Sequence, residues 1–291
     1  MSGLYGALEA GGTKMVCAVG DENGTILEQT SIPTTTPAET MPLIAAWFED
    51  KGIGALGVGC FGPIDVHRDS QSFGTILETP KLAWRHFDIV GSLRDALRVP
   101  IGFDTDVNGS LLGEATWGAA KGLTDAVYIT IGTGIGAGIL AGGRILHGML
   151  HPEVGHMRLQ VHPGDTYAGK CPYHGTCFEG LASGPAIGER WGSPAAELAD
   201  RDEVWELEAG YIAQAVASLI MVLSPQRFIL GGGVMHQEQL FPKIRKKTLD
   251  YVGGYLNTRE LGDPDSYIVP AALKDDQGII GAVKLAMDAA L

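Results

Sequence analysis

"AVYITIGTGIGAGILAGGRILHG" (Ala126–Gly148) repeats, in mid-chain, the pattern of "LYGALEAGGTKMVCAVGDENGTILEQT" (Leu4–Thr30) at its start. Each copy reads as an apolar strand, a glycine turn, a second strand, a further turn and a third strand. In the first copy the second strand runs from Met15 to Val19 and the second turn is Glu22–Gly24; in the second copy "GG" replaces "ENG". A hairpin figure repeated after about half the chain, with strand–helix segments behind it, predicts two similar α/β domains facing each other.

Working outward, "ALGVGCFGPID" (Ala55–Asp65) and "VPIGFDTDVNG" (Val99–Gly109) read as buried strands ending in loops, and "SLLGEATWGAAKG" (Ser110–Gly122) as a helix. The join is expected near residues 104–108, giving an N-terminal domain over 1–106 and a C-terminal one over 107–275. "DDQGIIGAVKLAMDAAL" (Asp275–Leu291) has the apolar spacing of a closing amphipathic helix, expected over about 276–291 and packing back on the first domain. "EVWELEAGYIAQAVASLIMVL" (Glu203–Leu223) is the clearest helix; its apolar part from Tyr211 is broken by Gln214 and Ser218 and reads as core.

Composition excludes several classes of function. Lys and Arg total 21 against 34 Asp and Glu, a formal charge of -13, so the mean field repels nucleic acid and anionic membranes. Four cysteines are too few for a disulfide scaffold in 291 residues, and the N-terminus has no charged region followed by an apolar signal core. The expected compartment is a reducing cytoplasm. With 42 glycines and 7% aromatics, the chain suits tight turns and sites lined by backbone.

Three glycine turns each follow an apolar strand: "EAGGTK" (Glu9–Lys14), "IGTGIGAG" (Ile131–Gly138) and "LGGGVM" (Leu230–Met235). Without Cβ atoms, backbone N–H groups can converge on phosphate oxygens, with Thr13 and Thr133 adding hydroxyls and Lys14 a charge. Any one alone is equally a tight hairpin. "IGTGIGAG" lacks the Gly-Lys-Ser/Thr ending of a P-loop and turns into a strand, which also argues against a dinucleotide fingerprint. Together the three fit one nucleotide gripped between two domains.

"FDTDVNG" sets Asp104, Asp106 and Asn108 after a strand, where α/β folds expose active-site groups. A carboxylate there can take the proton of an attacking hydroxyl; the plainer role is to cap the next helix. Asp106 is the first choice of base and Asp104 the second. Cys171, His174 and Cys177 have the spacing C-x2-H-x2-C, and His156 completes a Cys2His2 set suited to zinc, with His151 and His162 as rivals for the fourth place. Four protein ligands leave no open position, so such a metal is structural. It would pin the loop of residues 156–177 and set Glu153, His156 and Glu179 against a polyhydroxyl substrate.

"EAGGTK", "IGTGIGAG", "HPEVGH" (His151–His156), "CPYHGTCFEG" (Cys171–Gly180) and "LGGGVM", in this order, resemble the ROK family of sugar kinases and repressors over essentially the whole chain. "CFGPID" (Cys60–Asp65), "TPKLAW" (Thr79–Trp84) and Glu9 in place of the usual Asp look like the bacterial ROK fructokinases. The resemblance implies α/β architecture with two ribonuclease-H-like, actin-like ATPase domains, a cleft between them and a zinc-binding loop. It implies ATP and Mg²⁺ as cofactors, structural Zn²⁺ on His156, Cys171, His174 and Cys177, and a homodimer. Asp106 would be the base and Glu153, His156 and Glu179 would contact the sugar. Gly11, Gly12, Thr13, Lys14, Thr133 and Gly134 would meet the phosphates, with Gly232 and Gly233 near the adenosine. Two departures stand out: Thr105 replaces the usual Asn before the base, and the longer Glu9 would reach magnesium through water. The expected reaction is phosphorylation of fructose at its 6-hydroxyl. Mannose, glucose or an N-acetylhexosamine is the alternative substrate, and a non-catalytic sugar-binding regulator or a repressor the distant alternative. A repressor needs a DNA-reading helix pair that the eight residues before Glu9 do not hold.

Overall fold

The computed structural model describes residues 3–291. Its strands and helices run β1 (Tyr5–Ala10), β2 (Lys14–Gly20), β3 (Ile26–Pro33), α1 (Pro37–Phe48), β4 (Ala55–Cys60), α2 (Ile89–Leu97), β5 (Ile101–Thr105) and α3 (Asp106–Trp117). Then come β6 (Ala126–Ile131), β7 (Ile135–Ala141), β8 (Arg144–Ile145), α4 (Phe178–Ala182), α5 (Gly184–Trp191), α6 (Asp202–Leu223), β9 (Arg227–Gly231) and α7 (Leu240–Val252). The short α8 (Arg259–Gly262) and α9 (Pro264–Tyr267), β10 (Ile268–Pro270) and α10 (Gln277–Ala289) close the chain.

The chain forms two compact units, each with one five-stranded sheet. The first sheet has the order β3-β2-β1-β4-β5 and the second β10-β9-β6-β7-β8. Strand for strand these are the same figure: β1 pairs antiparallel with β2 and parallel with β4, as β6 pairs antiparallel with β7 and parallel with β9. The duplication in the sequence is therefore a duplication of topology. Its third strand is unequal, eight residues in β3 but two in β8, because the chain beyond β8 crosses to the other unit.

In the first unit β4 is buried along its whole length, as a central parallel strand covered on both faces must be. On one face Leu8, Met15, Ile44, Phe48, Leu56 and Trp84 form the larger core. On the other, Ala7 and Ala18 meet Ile279, Ala282 and Val283 of α10. Small residues are required there: a Cβ on Gly57 would lie 1.8 Å from the Ala282 carbonyl oxygen, so the helix axis approaches the strand more closely than any larger side chain permits.

The division between units does not fall after residue 106. The first unit reaches to Gly122 and also takes in Ile145–Pro152 and Asp276–Leu291; the second comprises Leu123–Arg144 and Glu153–Asp275. Helix α3 stays with the first unit because it crosses α10 at Gly109 and Gly281, where a Cβ on Gly281 would stand 1.7 Å from the Gly109 carbonyl oxygen. Segment 145–152 is held by histidines: Ile64 N donates to His151 Nε2 at 3.1 Å, and His147 Nε2 lies 2.9 Å from Asp104 Oδ2. In the second unit α6 is, among the described residues, the one helix whose length and composition would allow it to cross a membrane, and 61% of its most apolar window is buried. Trp205, Tyr211, Ile212 and Val216 on it are fully covered, which is the environment of a core helix.

Candidate functional site

The first unit carries Glu9, Gly11, Gly12, Thr13, Lys14, Asp104 and Asp106. The turn from β1 to β2 is closed by Gly11 N donating to Lys14 O at 3.1 Å, and Thr34 beyond β3 clamps it: its Oγ1 donates to Gly11 O at 2.7 Å and its N to Thr13 O at 3.0 Å. Glu9, at the end of β1, projects to the start of α10, where a Cβ on Gly278 would fall 2.6 Å from its Oε1. Burial and the nearby Asp106 carboxylate push Glu9 up to about 7, only partly offset by Lys14.

Asp104 and Asp106 differ in what holds them. The Asp104 side chain is buried and accepts from Thr105 N at 2.8 Å and Asn108 Nδ2 at 2.7 Å, with His147 against its other oxygen. This hydrogen bonding raises the His147 imidazole above its usual range. Thr105 Oγ1 accepts from Asn108 N at 3.1 Å and caps α3. Asp106 is the first residue of that helix, and its carboxylate accepts from a neighbouring backbone group, Val107 N, at 2.9 Å. Loss of water around it pushes its carboxyl up to about 6. The sequence singled out the three polar residues of "FDTDVNG" but not their division of labour, nor His147, which sits 43 positions from Asp104 in a stretch with no motif.

The second unit carries the remaining residues. His156, Cys171, His174 and Cys177 converge, their ligand atoms all within 4.8 Å of one another. Cys171 Sγ lies 3.8 Å from His156 Nδ1 and 3.6 Å from His174 Nδ1, and Cys177 Sγ 3.7 Å from His156 Nδ1. A tetrahedral zinc with bonds of about 2.0–2.3 Å requires edges of roughly 3.6 Å, so donor types and spacing both fit the ion. His151 and His162, the rivals for the fourth place, are engaged elsewhere: His151 accepts from Ile64 N, and His162 Nδ1 lies 2.8 Å from Pro163 O. Backbone bonds close the loop around the cluster, Gly175 N to Cys171 O at 2.9 Å and Lys170 N to Gly180 O at 2.8 Å.

Two of the three sugar-facing candidates are tied to the glycine turn between β6 and β7. Glu179 Oε2 accepts from Ile135 N at 3.0 Å, and the short turn Val154–His156 lies so close to Ile135 that a Cβ on Gly155 would be 2.0 Å from its carbonyl oxygen. Glu153 immediately precedes that turn, His156 N donating to its carbonyl oxygen at 3.0 Å. Beyond the glycine turn lies a cleft of about 710 Å³ lined by Gly132, Thr133, Gly184, Gly188, Gly233 and Val234, among others. Gly184 N, at the start of α5, donates to Gly132 O at 2.8 Å. Gly232 has φ 88°, a left-handed conformation that favours glycine. The cleft brings Thr133 and Gly233 to one surface; the wall formed by α5 went unread in the sequence, since "SGPAIGERWG" carries no spacing distinct from an ordinary helix.

Two sheets of the same topology, each opening on a glycine hairpin, together with a helix that returns from the chain's end to cover the first sheet, define the actin-like ATPase fold of sugar kinases. The chain belongs to the ROK family, whose sequence profile matches residues 5–289. It is 51% identical over 98% of its length to a protein of Bacillus subtilis described as a putative fructokinase, of which it covers 96%. It is 46% identical to the fructokinase of Pediococcus pentosaceus, with 98% of each chain covered. Among solved structures, the ROK glucokinase of Streptomyces griseus in complex with glucose and AMPPNP superposes with a TM-score of 0.80 at 26% identity, over 98% of this chain and all of that one.

Proposed function

We propose that the protein is an ATP-dependent fructokinase, transferring the γ-phosphoryl group of ATP to the 6-hydroxyl of fructose to give fructose 6-phosphate and ADP. The observation that carries the reading is near-full-length identity of 39–51% to four proteins described as fructokinases or a putative fructokinase. Glucose is favoured by more distant kin, glucokinases at 26–29% identity, and is the second reading.

In this reading Asp106 is the base. Asp104 already serves three partners, whereas Asp106 keeps carboxylate capacity free, and a carboxyl near 6 is ionised at neutral pH yet basic enough to accept a hydroxyl proton. The new bond joins the sugar oxygen to phosphorus, the bond to the ADP oxygen breaks with its electron pair, and the hydroxyl proton passes to Asp106. Glu153, His156 and Glu179 contact the sugar hydroxyls. Gly11, Gly12, Thr13, Lys14, Thr133 and Gly134 meet the phosphates. Gly232 and Gly233 lie against the adenosine, a role supported by the cleft beside them. Mg²⁺ carried with ATP supplies charge compensation, and Glu9 is the carboxylate suited to its water shell. A zinc ion on His156, Cys171, His174 and Cys177 holds the loop structurally. The protein acts as a homodimer in the cytoplasm, where ATP is available.

The deciding experiment measures ADP release with MgATP against fructose, glucose, mannose and N-acetylmannosamine, with Asp106→Asn alongside. Fastest turnover on fructose, lost by orders of magnitude in the variant while fructose still binds, is expected. Faster turnover on another sugar moves the substrate assignment, and near-normal turnover in the variant removes Asp106 as base.

A further inference from the structure

A charged side chain beside the first unit's glycine turn has no part in the reaction as described. A Cβ built on Gly12 would lie 3.3 Å from Cε of Lys81, so the lysine side chain arches over the glycine loop with its ammonium one bond further on. Among the described residues its Nζ makes no hydrogen bond or ion pair, unlike Lys51, which pairs with Glu28, or Arg85, which pairs with Glu78.

This placement is built, not incidental. Trp84 is 1% exposed and its Nε1 donates to Thr35 O at 2.9 Å. Trp84 N donates to Lys81 O at 2.8 Å, Lys81 N to the hydroxyl of buried Thr79 at 3.3 Å, and Arg85 Nε to Thr79 O at 2.8 Å. Rings of Phe61 and Phe87 meet the Trp84 indole edge-on, at 6.3 and 5.5 Å. The turn carrying Lys81 thus hangs from Thr35, while the glycine loop beneath hangs from Thr34, the adjacent residue. One anchor fixes both parts, and the absence of a side chain at Gly12 leaves room between them.

An unpaired ammonium beside the Gly11–Lys14 turn, in a chain of net charge -13, is complementary to an oxyanion of high charge density. We infer that Lys81 is a catalytic residue of the phosphoryl transfer, its ammonium donating to a phosphate oxygen of the nucleotide held at Gly11–Lys14. It stays protonated throughout and forms no covalent bond. Its contribution is to offset negative charge that grows on the phosphate oxygens as the bond to ADP breaks.

The inference rests on the kinase reading, and the test separates the two. Lys81→Met and Lys81→Arg are compared with the unaltered protein for fructose phosphorylation, fructose affinity and melting temperature. The methionine variant is expected to lose about 100-fold in kcat, with KM for fructose within about twofold and melting unchanged, while arginine restores at least a tenth of the activity. A kcat within about threefold in Lys81→Met, or a loss confined to KM for fructose, overturns the inference. Independently, an amine-acylating reagent followed by peptide mass spectrometry is expected to label Lys81 in the free protein and to be blocked by MgATP. Labelling undiminished by bound MgATP also overturns it. An unaltered protein that binds MgATP yet phosphorylates no hexose would sink the kinase reading and with it the catalytic role, and the shielding result would still decide whether the Lys81 ammonium meets the nucleotide.

Discussion

Glu9 and Asp106 are carboxyls whose folded-state values, about 7 and about 6, lie above their ordinary ones because protein has replaced water around them. Two consequences follow from the sign. For turnover, the base works ionised, so kcat/KM, which reports the free protein, is expected to rise with pH through about 6; a kcat/KM flat from pH 5 to 8 would contradict this. For stability, a proton held more tightly in the folded state stabilises fully below the unfolded value, and that gain is lost as pH rises through the folded value. The free protein is therefore expected to weaken between about pH 4 and 7, and Glu9→Gln to remove part of that loss. At pH 8 the gain in Glu9→Gln should approach about 3 kcal/mol from its shift alone, and vanish at pH 4, as read by denaturant titration at both values. The sequence put Asp106 ahead of Asp104 as base, but the two are only two residues apart, and the contacts of Asn108 and His147 show which one is already committed.

At the scale of elements, the metal loop and the helix crossings make separate predictions. Cys171→Ser is expected to lower bound zinc, measured by mass spectrometry, and to weaken fructose binding at least tenfold, because Glu179 follows the ligand Cys177 by two residues and the ligand His156 is itself a proposed sugar contact. Metal content unchanged would remove Cys171 from the ligand set. Gly281→Ala places a methyl 1.7 Å from a carbonyl oxygen of α3 and should cost about 3 kcal/mol or more. Gly210→Ala, in α6 with no atom within 4 Å of the new Cβ apart from its chain neighbours and the adjoining helix backbone, should instead stabilise by about 0.5–1 kcal/mol. Thermal melts of the two variants test the pair, and equal effects would refute the packing argument. Helices α6 and α10 were legible in the sequence. Their crossing partners were not, since a glycine that marks close approach and one that marks nothing look alike in a sequence.

At the scale of the whole molecule, the proposed homodimer is checked by light scattering, with a mass twice the 30.7 kDa of one chain expected and a monomer at micromolar concentration as the contrary result. The duplication, the three glycine turns and the Cys–His cluster were all determined by the sequence alone, because each depends on residue types at short, fixed separations: hairpin turns on glycine, a tetrahedral metal site on four soft or borderline donors. What the tertiary structure decided involves contacts distant along the chain. It moved the boundary from residue 106 to Gly122, gave Ile145–Pro152 to the first unit, bound Asp104 to His147, and hung Lys81 over Gly12 from a common anchor. Local rules govern turns and ligand spacing, whereas the partners of a buried carboxylate or an unpaired ammonium are chosen by packing of the complete core, which no local pattern records.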